Sequence, residues 1–315
     1  MPLGTVIESV RKYLHRIFSK TFVRTSPAHP EYKRQIRQIT SASGLYDCSQ
    51  VRDYISLVHT PAFHMPTLGI AIITKNAAAH LDACLTAVTW ANRVVVLDSG
   101  SSDNTLDIAR QYGAAIHQTA DWPGFGPQKN RCLDLLDTDW ILALDADEVL
   151  TPELAEEIRA AIANPQADVY ALPRLSNYCG RWMRHSGWYP DFVPRLFKRG
   201  SARYSDDLVH ERLTFTGSAA RLKHELLHYS FDDLDQVLAK VNSYSSAGAR
   251  QRQQREQRAS LGKAIVSGLV AFFRTYVLRR GFLDGREGFI LAVSNAEGTY
   301  YRHLKLMYLN ERTQA

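Results

Sequence analysis

Apolar residues in the middle of the chain fall into short continuous runs, and amphipathic segments lie between them. The runs have the length and composition of buried strands, and they are LGIAIIT (68–74), RVVVLD (93–98), the weaker AAIHQTA (114–120) and WILALD (140–145). After the first run, apolar residues recur with helical spacing at positions 81, 84, 85 and 88. Helices are also predicted over 103–113, over 128–136 and from Pro152, with Thr151 as N-cap.

Strands that alternate with helices indicate a parallel sheet covered by helices on both faces. Beyond residue 168 the pattern is mixed, and strands are predicted near VYALPR (169–174), VPRLFKR (193–199) and RLKHELLHYS (221–230). The prediction is therefore an α/β fold. It has a doubly wound, mostly parallel sheet, a mixed second half and a helical C-terminal segment.

The charges divide the chain into three parts. Residues 1–66 carry a net +5, residues 67–248 carry −6 and residues 249–315 carry +7, within a total of +6. We predict a basic N-terminal extension of unknown role, a catalytic domain and a basic helical segment with these boundaries. Two basic ends favour an anionic surface, either nucleic acid or lipid. Lipid is favoured because the middle lacks the basic and aromatic fingerprint of a nucleic-acid module.

The four cysteines are scattered without a CxxC pair, which indicates a reducing compartment and no zinc site. Basic residues interrupt the apolar runs near the N-terminus, so no secretory signal is predicted. The most apolar run, AIVSGLVAFF (264–273), is shorter than the ~20 residues of a spanning helix. We expect a cytoplasmic protein. The segment 264–280 is either an interfacial helix or a core helix, and the basic ends favour peripheral contact with an anionic membrane.

Polar residues follow three of the predicted strands, where a parallel sheet binds its ligands. They form the segments TKN (74–76), DSGSSDNT (98–105) and DADE (145–148). In the second segment, Asp98 could accept hydrogen bonds from a base or ribose, or the segment is a plain turn that Asp103 caps. In the third, Asp145 and Asp147 could address one divalent cation, or they form a solvated acidic turn. We expect the three segments to meet in one cleft.

The order and spacing of these segments resemble the donor-binding half of the family 2 glycosyltransferases of the GT-A fold. The resemblance implies that Asp147 binds a divalent metal, Mg²⁺ or Mn²⁺, that bridges the diphosphate of a sugar nucleotide. It also implies a set of donor-binding residues, namely Thr74, Lys75, Asn76, Asp98, Asp103, Lys129 and Asp145.

The second half of the chain extends the resemblance. Inverting enzymes of this fold have a catalytic carboxylate after the DxD motif and a metal-binding histidine beyond it, which implies Glu211 in VHERL and His228 in LLHYS. The motif around Glu211 reads HE where the usual motif has two acidic residues, so Asp207 and Asp206 remain alternatives for the base. Without the fold, the preferred interpretation of Glu211 is a structural ion pair, and that of His228 is a buried imidazole with its hydrogen bonds satisfied.

Residues 181–199 interleave aromatic and basic side chains. Aromatic faces stack on sugars and arginine pairs with phosphate or carboxylate, so this segment is predicted to bind an anionic acceptor. The alternative is a packed aromatic loop with solvated arginines. The residues predicted to bind the acceptor are Arg181, Arg184, Trp188 and Arg195.

With GFLDGREGFILA (281–292), the chain from residue 67 to about 305 resembles the lipopolysaccharide core β-1,4-glucosyltransferases. That resemblance implies metal-dependent, inverting transfer of glucose from UDP-glucose to an inner-core heptose. It also implies a lipid-linked acceptor, no nucleic acid, and a place on the inner face of the cytoplasmic membrane. A different nucleotide-sugar donor, another lipid-linked or protein acceptor, and a non-catalytic nucleotide-sugar-binding protein remain alternatives. A nucleotidyltransferase is disfavoured because TKNAAAHLDACL has no Gly-rich loop for a triphosphate.

Overall fold

The structure is a computed structural model that describes residues 65–206 and 211–312. The predictions for the N-terminal extension and for Asp207 therefore lie outside the described residues, apart from residues 65 and 66. The strands are β1 (Leu68–Thr74), β2 (Arg93–Asp98), β3 (Ala115–Gln118), β4 (Trp140–Asp145), β5 (Glu148–Leu150), β6 (Val169–Tyr178), β7 (Arg181–Trp182), β8 (Asp191–Lys198), β9 (Ala202–Tyr204), β10 (Leu213–Phe215), β11 (Ala220–Arg221) and β12 (Leu226–Phe231).

The helices lie between and after these strands. They are α1 (Ala78–Thr86), α2 (Thr105–Gln111), α3 (Phe125–Asp134), α4 (Pro152–Ala163), α5 (Leu234–Gln254), α6 (Leu261–Phe273) and α7 (Gly285–Arg312). A π-helical turn, Arg274–Leu278, continues α6, and a 3₁₀ turn, Gly281–Asp284, precedes α7. The predicted cap of α4 is confirmed, because the side chain of Thr151 accepts a hydrogen bond from the backbone N–H of Leu154 at 3.2 Å.

The main sheet has the strand order β3-β2-β1-β4-β8-β6-β12-β5. Its first four strands are parallel, with β1 between β2 and β4. The second half is mixed, since β8 is antiparallel to both β4 and β6 while β12 is parallel to β6. The predicted fold, a parallel half followed by a mixed half and a helical C-terminal segment, is confirmed.

Apolar side chains of β1 pack on both faces of the sheet. Leu68, Ile70 and Ile72 face a core that includes residues of α1 and α4, whereas Ala71 faces a second core with residues of α3. Burying a leucine or isoleucine side chain contributes about 1.5–3 kcal/mol, so these two layers fix the strand register. The register places the carboxyl ends of β1, β2 and β4 at one edge.

The predicted boundary between residues 248 and 249 falls inside α5, which continues through it to Gln254. From residue 65 onward the chain forms one compact unit. A third apolar cluster of Tyr178, Met183, Val237 and Leu291 joins β6 to α5 and α7. The change of net charge therefore marks a change of surface composition within one unit, because the apolar contacts continue across it.

Within the described residues, one helical stretch is long and apolar enough to cross a membrane by length and composition alone. It runs from Leu261 to Leu278, with a mean hydropathy of 1.4 over 18 residues, and 17% of it is buried in the protein. The helix is longer than the run predicted from sequence because the backbone continues through Arg274 into the π-helical turn.

Candidate active site

Asp98, at the end of β2, is fully buried and holds the turn that follows it. Its carboxylate accepts hydrogen bonds from the backbone N–H groups of Gly100 and Ser101 at 3.0 and 2.9 Å, and from the hydroxyl of Thr74 at 2.9 Å. Burial acts to raise the pKa of Asp98, but the hydrogen bonds, led by those of Ser101, lower it below its ordinary value. Thr74 and Asp98 are thus joined directly.

Asn76 and Asp103 connect the loop after β1 to the same turn. The side-chain oxygen of Asn76 accepts from the backbone N–H of Ser102 at 2.8 Å, and Asp103 accepts from those of Thr105 and Ala78 at 3.1 and 3.2 Å. The hydrogen bond from the Thr105 hydroxyl lowers the pKa of Asp103 below its ordinary value. Lys75 lies beside them and is exposed. The TKN and DSGSSDNT segments therefore form one surface, as the strand order predicts.

Asp145, at the end of β4, lies between two cations. Its Oδ1 is 2.9 Å from Nζ of Lys129, and its Oδ2 contacts Nη2 of Arg195. Burial acts to raise the pKa of Asp145, but Arg195 and then Lys129 hold it well below its ordinary value. Burial acts against the charge of Lys129 as well, and Asp145 raises the pKa of that ammonium above its ordinary value.

Glu148 is the most buried member of this ionic cluster. It is fully buried, its Oε1 lies 2.7 Å from Nη2 of Arg195, and its Oε2 accepts from the backbone N–H of Asp145 at 3.0 Å. Arg174 approaches the same Oε1 at 3.5 Å. The buried guanidinium of Arg195 therefore neutralises two carboxylates under the cleft.

Asp147 points away from that cluster, towards His228 on β12. Its Oδ2 is 3.5 Å from Nε2 of His228, while Nδ1 of the same ring is 3.0 Å from the hydroxyl of Ser176. The antiparallel pairing of β12 with β5, in which His228 lies opposite Glu148, brings these residues together. Carboxylate oxygen and imidazole nitrogen are both metal ligands, and a second hydrogen bond on the ring is how proteins orient a ligating histidine.

Glu211 reaches the same cleft from the segment before β10. Its Oε1 is 3.4 Å from Nζ of Lys129, so one ammonium lies between Glu211 and Asp145. The ring of Tyr204 lies under that ammonium, 5.1 Å from its centroid. Asp206, the described alternative for the base, is exposed.

A sequence model of the family "Glycosyl transferase family 2" matches residues 69–229, which hold every residue of this cleft described above. The chain belongs to this family. The resemblance seen in the sequence is thereby confirmed.

Relatives of this glycosyltransferase agree with that assignment. An "Uncharacterized glycosyltransferase" of Rickettsia felis is 30% identical over 258 residues, which cover 77% of this chain and 90% of the relative. "Lipopolysaccharide core biosynthesis glycosyltransferase LpsC" of Rhizobium meliloti is 28% identical over 258 residues, covering 75% of this chain and 93% of that one. Among solved structures, S. aureus TarS 1-349 is similar with a TM-score of 0.42 and 14% identity, covering 78% of this chain and 92% of that one.

The basic and aromatic segment of the glycosyltransferase separates into parts with different surroundings. Arg181 is exposed, and Arg184 is half exposed and forms a bidentate ion pair with Glu225 at 2.6 and 3.0 Å. Trp188 packs edge-on against Tyr178 with ring centroids 5.6 Å apart. Arg195 lies apart from all of them, because it is only 6% exposed and its charge is taken up by the carboxylates of the ionic cluster.

The loop that carries Arg184 is fixed by a residue that sequence reasoning did not select. Asp284, only 1% exposed, accepts hydrogen bonds from the backbone N–H groups of Arg184 and His185 at 3.1 Å and from the hydroxyl of Ser186 at 2.8 Å. The conspicuous motif GFLDG contains Asp284, but only the fold shows which loop it binds. Glu148 and Ser176 were also missed, since their partners lie on distant strands.

The start of α3 approaches the segment before Glu211 so closely that only glycine fits at position 126. A Cβ on Gly126 would lie 1.9 Å from the carbonyl oxygen of Ser205 and 3.4 Å from the Cβ of Glu211. We expect Gly126→Ala to push that segment away and to lower kcat roughly 10–100-fold, because small displacements of a reacting group have effects of that size.

Steady-state kinetics on a folded variant would check this prediction. Gly262→Ala is the matched control, since a Cβ there meets nothing within 4 Å and its kcat should not change. Full activity of Gly126→Ala would show that the contact at Ser205 does not position Glu211.

Proposed function

We propose that this glycosyltransferase is an inverting, metal-dependent enzyme that moves glucose from UDP-glucose onto an inner-core heptose of lipopolysaccharide. The observation that carries the proposal is the arrangement at the end of β4. There, the ammonium of Lys129 contacts the carboxylates of both Asp145 and Glu211. Asp147, two residues after Asp145, faces His228. One edge of the sheet thus holds a carboxylate that can act as the base, a pair of residues that can bind a cation, and the turn proposed to bind the donor.

The residues at this edge suit a divalent cation such as Mg²⁺ or Mn²⁺. Such ions are held by one or two protein groups together with the phosphates of a substrate. Asp147 and His228 supply such a pair, and no third histidine, cysteine or acidic side chain joins them among the residues that the structure describes. Asp145 is already paired with Lys129 and Arg195, which leaves Asp147 as the carboxylate of DADE that faces a ligand. When bound, the cation would neutralise charge on the diphosphate leaving group.

The proposed chemistry assigns one proton transfer to this chain. Glu211 takes the proton from the acceptor hydroxyl as that oxygen attacks the anomeric carbon from the side opposite the diphosphate, so the configuration inverts. No covalent enzyme intermediate is required. Lys129 holds the Glu211 carboxylate in place, and the turn that Asp98 supports from within, with the exposed Asn76 beside it, receives the nucleotide.

The acceptor assignment is supported by the name of the LpsC relative, a lipopolysaccharide core biosynthesis glycosyltransferase. The exposed Arg181, with the half-buried Trp188, suits a phosphorylated or acidic sugar acceptor because arginine pairs with such groups, whereas Arg184 already pairs with Glu225. With a lipid-linked acceptor, the proposed location of the enzyme is the inner face of the cytoplasmic membrane, and the exposed apolar side of α6 supports that proposal.

Calorimetric titration with UDP-glucose, UDP-GlcNAc and UDP-galactose, each with and without Mn²⁺, tests the donor and the metal together. We expect tight binding of UDP-glucose only with Mn²⁺, and loss of that metal dependence in Asp147→Asn. Asp107→Asn is the control, because Asp107 pairs with Arg110 on the exposed face of α2.

Each other outcome would change a specific part of the proposal. A preference for another UDP-sugar would replace glucose as the donor and keep the mechanism. Binding of nucleotide sugar with no transfer to any acceptor would favour a binding protein without turnover. Binding of none of the three would contradict a UDP-sugar donor.

A further inference from the structure

The outer side of α6 and its π-helical turn exposes large apolar side chains. Leu261, Ile265, Leu269 and Phe273 follow one another at intervals of four residues, and each is between 46% and 66% exposed. The stripe continues through the turn to Leu278, which is 67% exposed. An apolar surface of this extent marks an interaction site rather than ordinary protein surface.

A pocket of about 460 Å³ opens between α6 and α7 beside this stripe. Its polar lining has hydroxyl, amide and cationic groups, and none of the described residues that line it is acidic. These polar residues are Ser267, Arg274, Thr275, Arg279, Asn295, Thr299, Arg302 and His303. The lining therefore offers hydrogen-bond donors and positive charge to whatever enters.

Two polar atoms in the pocket have no hydrogen-bond partner among the residues that the structure describes. Nδ1 of His303, a residue only 4% exposed, and Nε of Arg302 are buried without a hydrogen bond in the described chain. Buried polar groups are almost always paired, so two unpaired polar atoms in one pocket indicate that a water, an ion or a larger ligand binds there. Burial and the nearby Arg252 lower the pKa values of both Arg302 and His303 below their ordinary values. An anion would relieve that repulsion and accept a hydrogen bond from Nε of Arg302, and from Nδ1 of His303 in the tautomer that carries the proton there.

An apolar groove adjoins the pocket and indicates what kind of anion fits. The groove has a volume of about 390 Å³, and it is lined by Leu269, Val270, Phe273 and Leu278, with Arg274 shared between groove and pocket. We propose that the pocket binds the phosphate of an anionic membrane lipid and that the groove receives its acyl chain. Such a ligand satisfies both surfaces at once, whereas a soluble phosphate leaves the groove uncovered.

The length of this helical stretch and its basic side chains favour a helix that lies in the membrane interface over one that crosses the bilayer. Eighteen residues span roughly 27 Å at ~1.5 Å per residue, so the stretch is at the short limit for a hydrocarbon core of roughly 30 Å. Lys263 and Arg274 lie on the helix itself, and long basic side chains at an interface reach the headgroups. The proposal deepens the membrane location proposed above, and its test separates the two.

Co-sedimentation of the full chain with vesicles tests the lipid site. One set of vesicles is phosphatidylcholine alone, and the other contains phosphatidylglycerol. We expect binding only to the second set, and roughly tenfold weaker binding for Arg302→Gln, since a hydrogen bond to a charged group has about that value. Arg286→Gln is the matched control because it removes the same charge from the same helix outside the pocket, where its side chain is 82% exposed.

A second variant and a second ligand complete the test. Thermal melting shows whether Arg302→Gln folds. If it does not, vesicle binding is measured instead with Arg274→Gln, a change at an exposed position. Inorganic phosphate, followed by its effect on the melting temperature, separates a lipid headgroup from a soluble anion.

Three results would overturn the lipid site. Equal losses in Arg302→Gln and Arg286→Gln would mean diffuse charge attraction, which keeps the membrane location and removes the pocket. Stabilisation by inorganic phosphate without vesicle binding would assign the pocket to a soluble anion. Equal binding to both vesicle sets would remove any role for the net negative charge of the lipid, and with it the proposed preference for an anionic headgroup.

Discussion

Glu211→Gln is expected to retain binding of UDP and to lower the rate of glycosyl transfer roughly 10²–10⁴-fold, the usual contribution of a general base. Glutamine has nearly the same shape and can still accept a hydrogen bond from Lys129, which lies 3.4 Å from Oε1 of Glu211. It cannot take a proton from the acceptor hydroxyl. Measurement of UDP release with acceptor present, beside calorimetry of UDP alone, separates the two effects.

Asp206→Asn is the control for this variant, since Asp206 is an exposed carboxylate in the same segment. Its transfer rate should match that of the unmodified enzyme. Retained turnover in Glu211→Gln, together with a loss in Asp206→Asn or Asp207→Asn, would move the base to that aspartate.

Arg195→Gln is expected to lower the free energy of unfolding by about 3–5 kcal/mol, the usual result of removing one partner of a buried ion cluster. The change leaves Glu148 fully buried without its closest cation, and Asp145 with Lys129 alone. Adding Glu148→Gln should recover part of the loss, because it removes one of the uncompensated charges. Urea unfolding monitored by circular dichroism measures all three proteins.

Arg203→Gln is the comparison for this prediction. Its guanidinium pairs with Asp134, but both side chains are more than half exposed, so the expected loss is about 0–1 kcal/mol. Equal losses at Arg195 and Arg203 would show that the buried cluster does not stabilise the fold.

The buried cluster also sets the direction of an acid effect. Because the folded-state pKa of Asp145 is depressed, its contribution to stability is present above the ordinary aspartate pKa of about 4 and decreases as the pH falls below it. In Arg195→Gln that depression is smaller, so the stability of the variant should depend less on pH in this acidic range. Urea unfolding at several pH values from neutral to acid measures the difference.

The sequence predicts the donor side well because it depends on local pattern and one general rule. Apolar runs mark β1, β2 and β4, and parallel strands bring their carboxyl ends to one edge. TKN, DSGSSDNT and DADE therefore follow neighbouring strands at one edge, with Ile73 opposite Asp145, and the contact between Thr74 and Asp98 follows from the pairing of β1 with β2.

The ionic cluster could not be predicted, because it depends on strand pairings between distant residues. Leu142 on β4 lies opposite Leu196 on β8, which brings Arg195 next to Asp145 although the two are 50 residues apart. In the sequence, Arg195 belongs to a run of basic and aromatic residues that is typical of a surface. Nothing in that local pattern distinguishes a buried arginine from an exposed one.

The C-terminal helices illustrate a similar limit. The net charge of the sequence changes sign near residue 249, but α5 continues through that point. Its apolar contacts with α7 do not depend on the charge of the exposed residues. The sequence left open whether residues 264–280 form a core or an interfacial helix. Burial argues against a core helix, since most of the large apolar residues of α6 are exposed, and the interfacial location stays a proposal.

The turn after β2 has a consequence for the thermodynamics of ligand binding. Asp98 accepts hydrogen bonds from its own turn and from Thr74, while Asn76 and Asp103 tie the loop after β1 to that turn. A ligand that binds there meets backbone already held in place, so little of its affinity is lost to the conformational entropy of ordering loops. If the proposed donor site is right, we expect even a nucleoside without its diphosphate to gain measurable affinity from this surface.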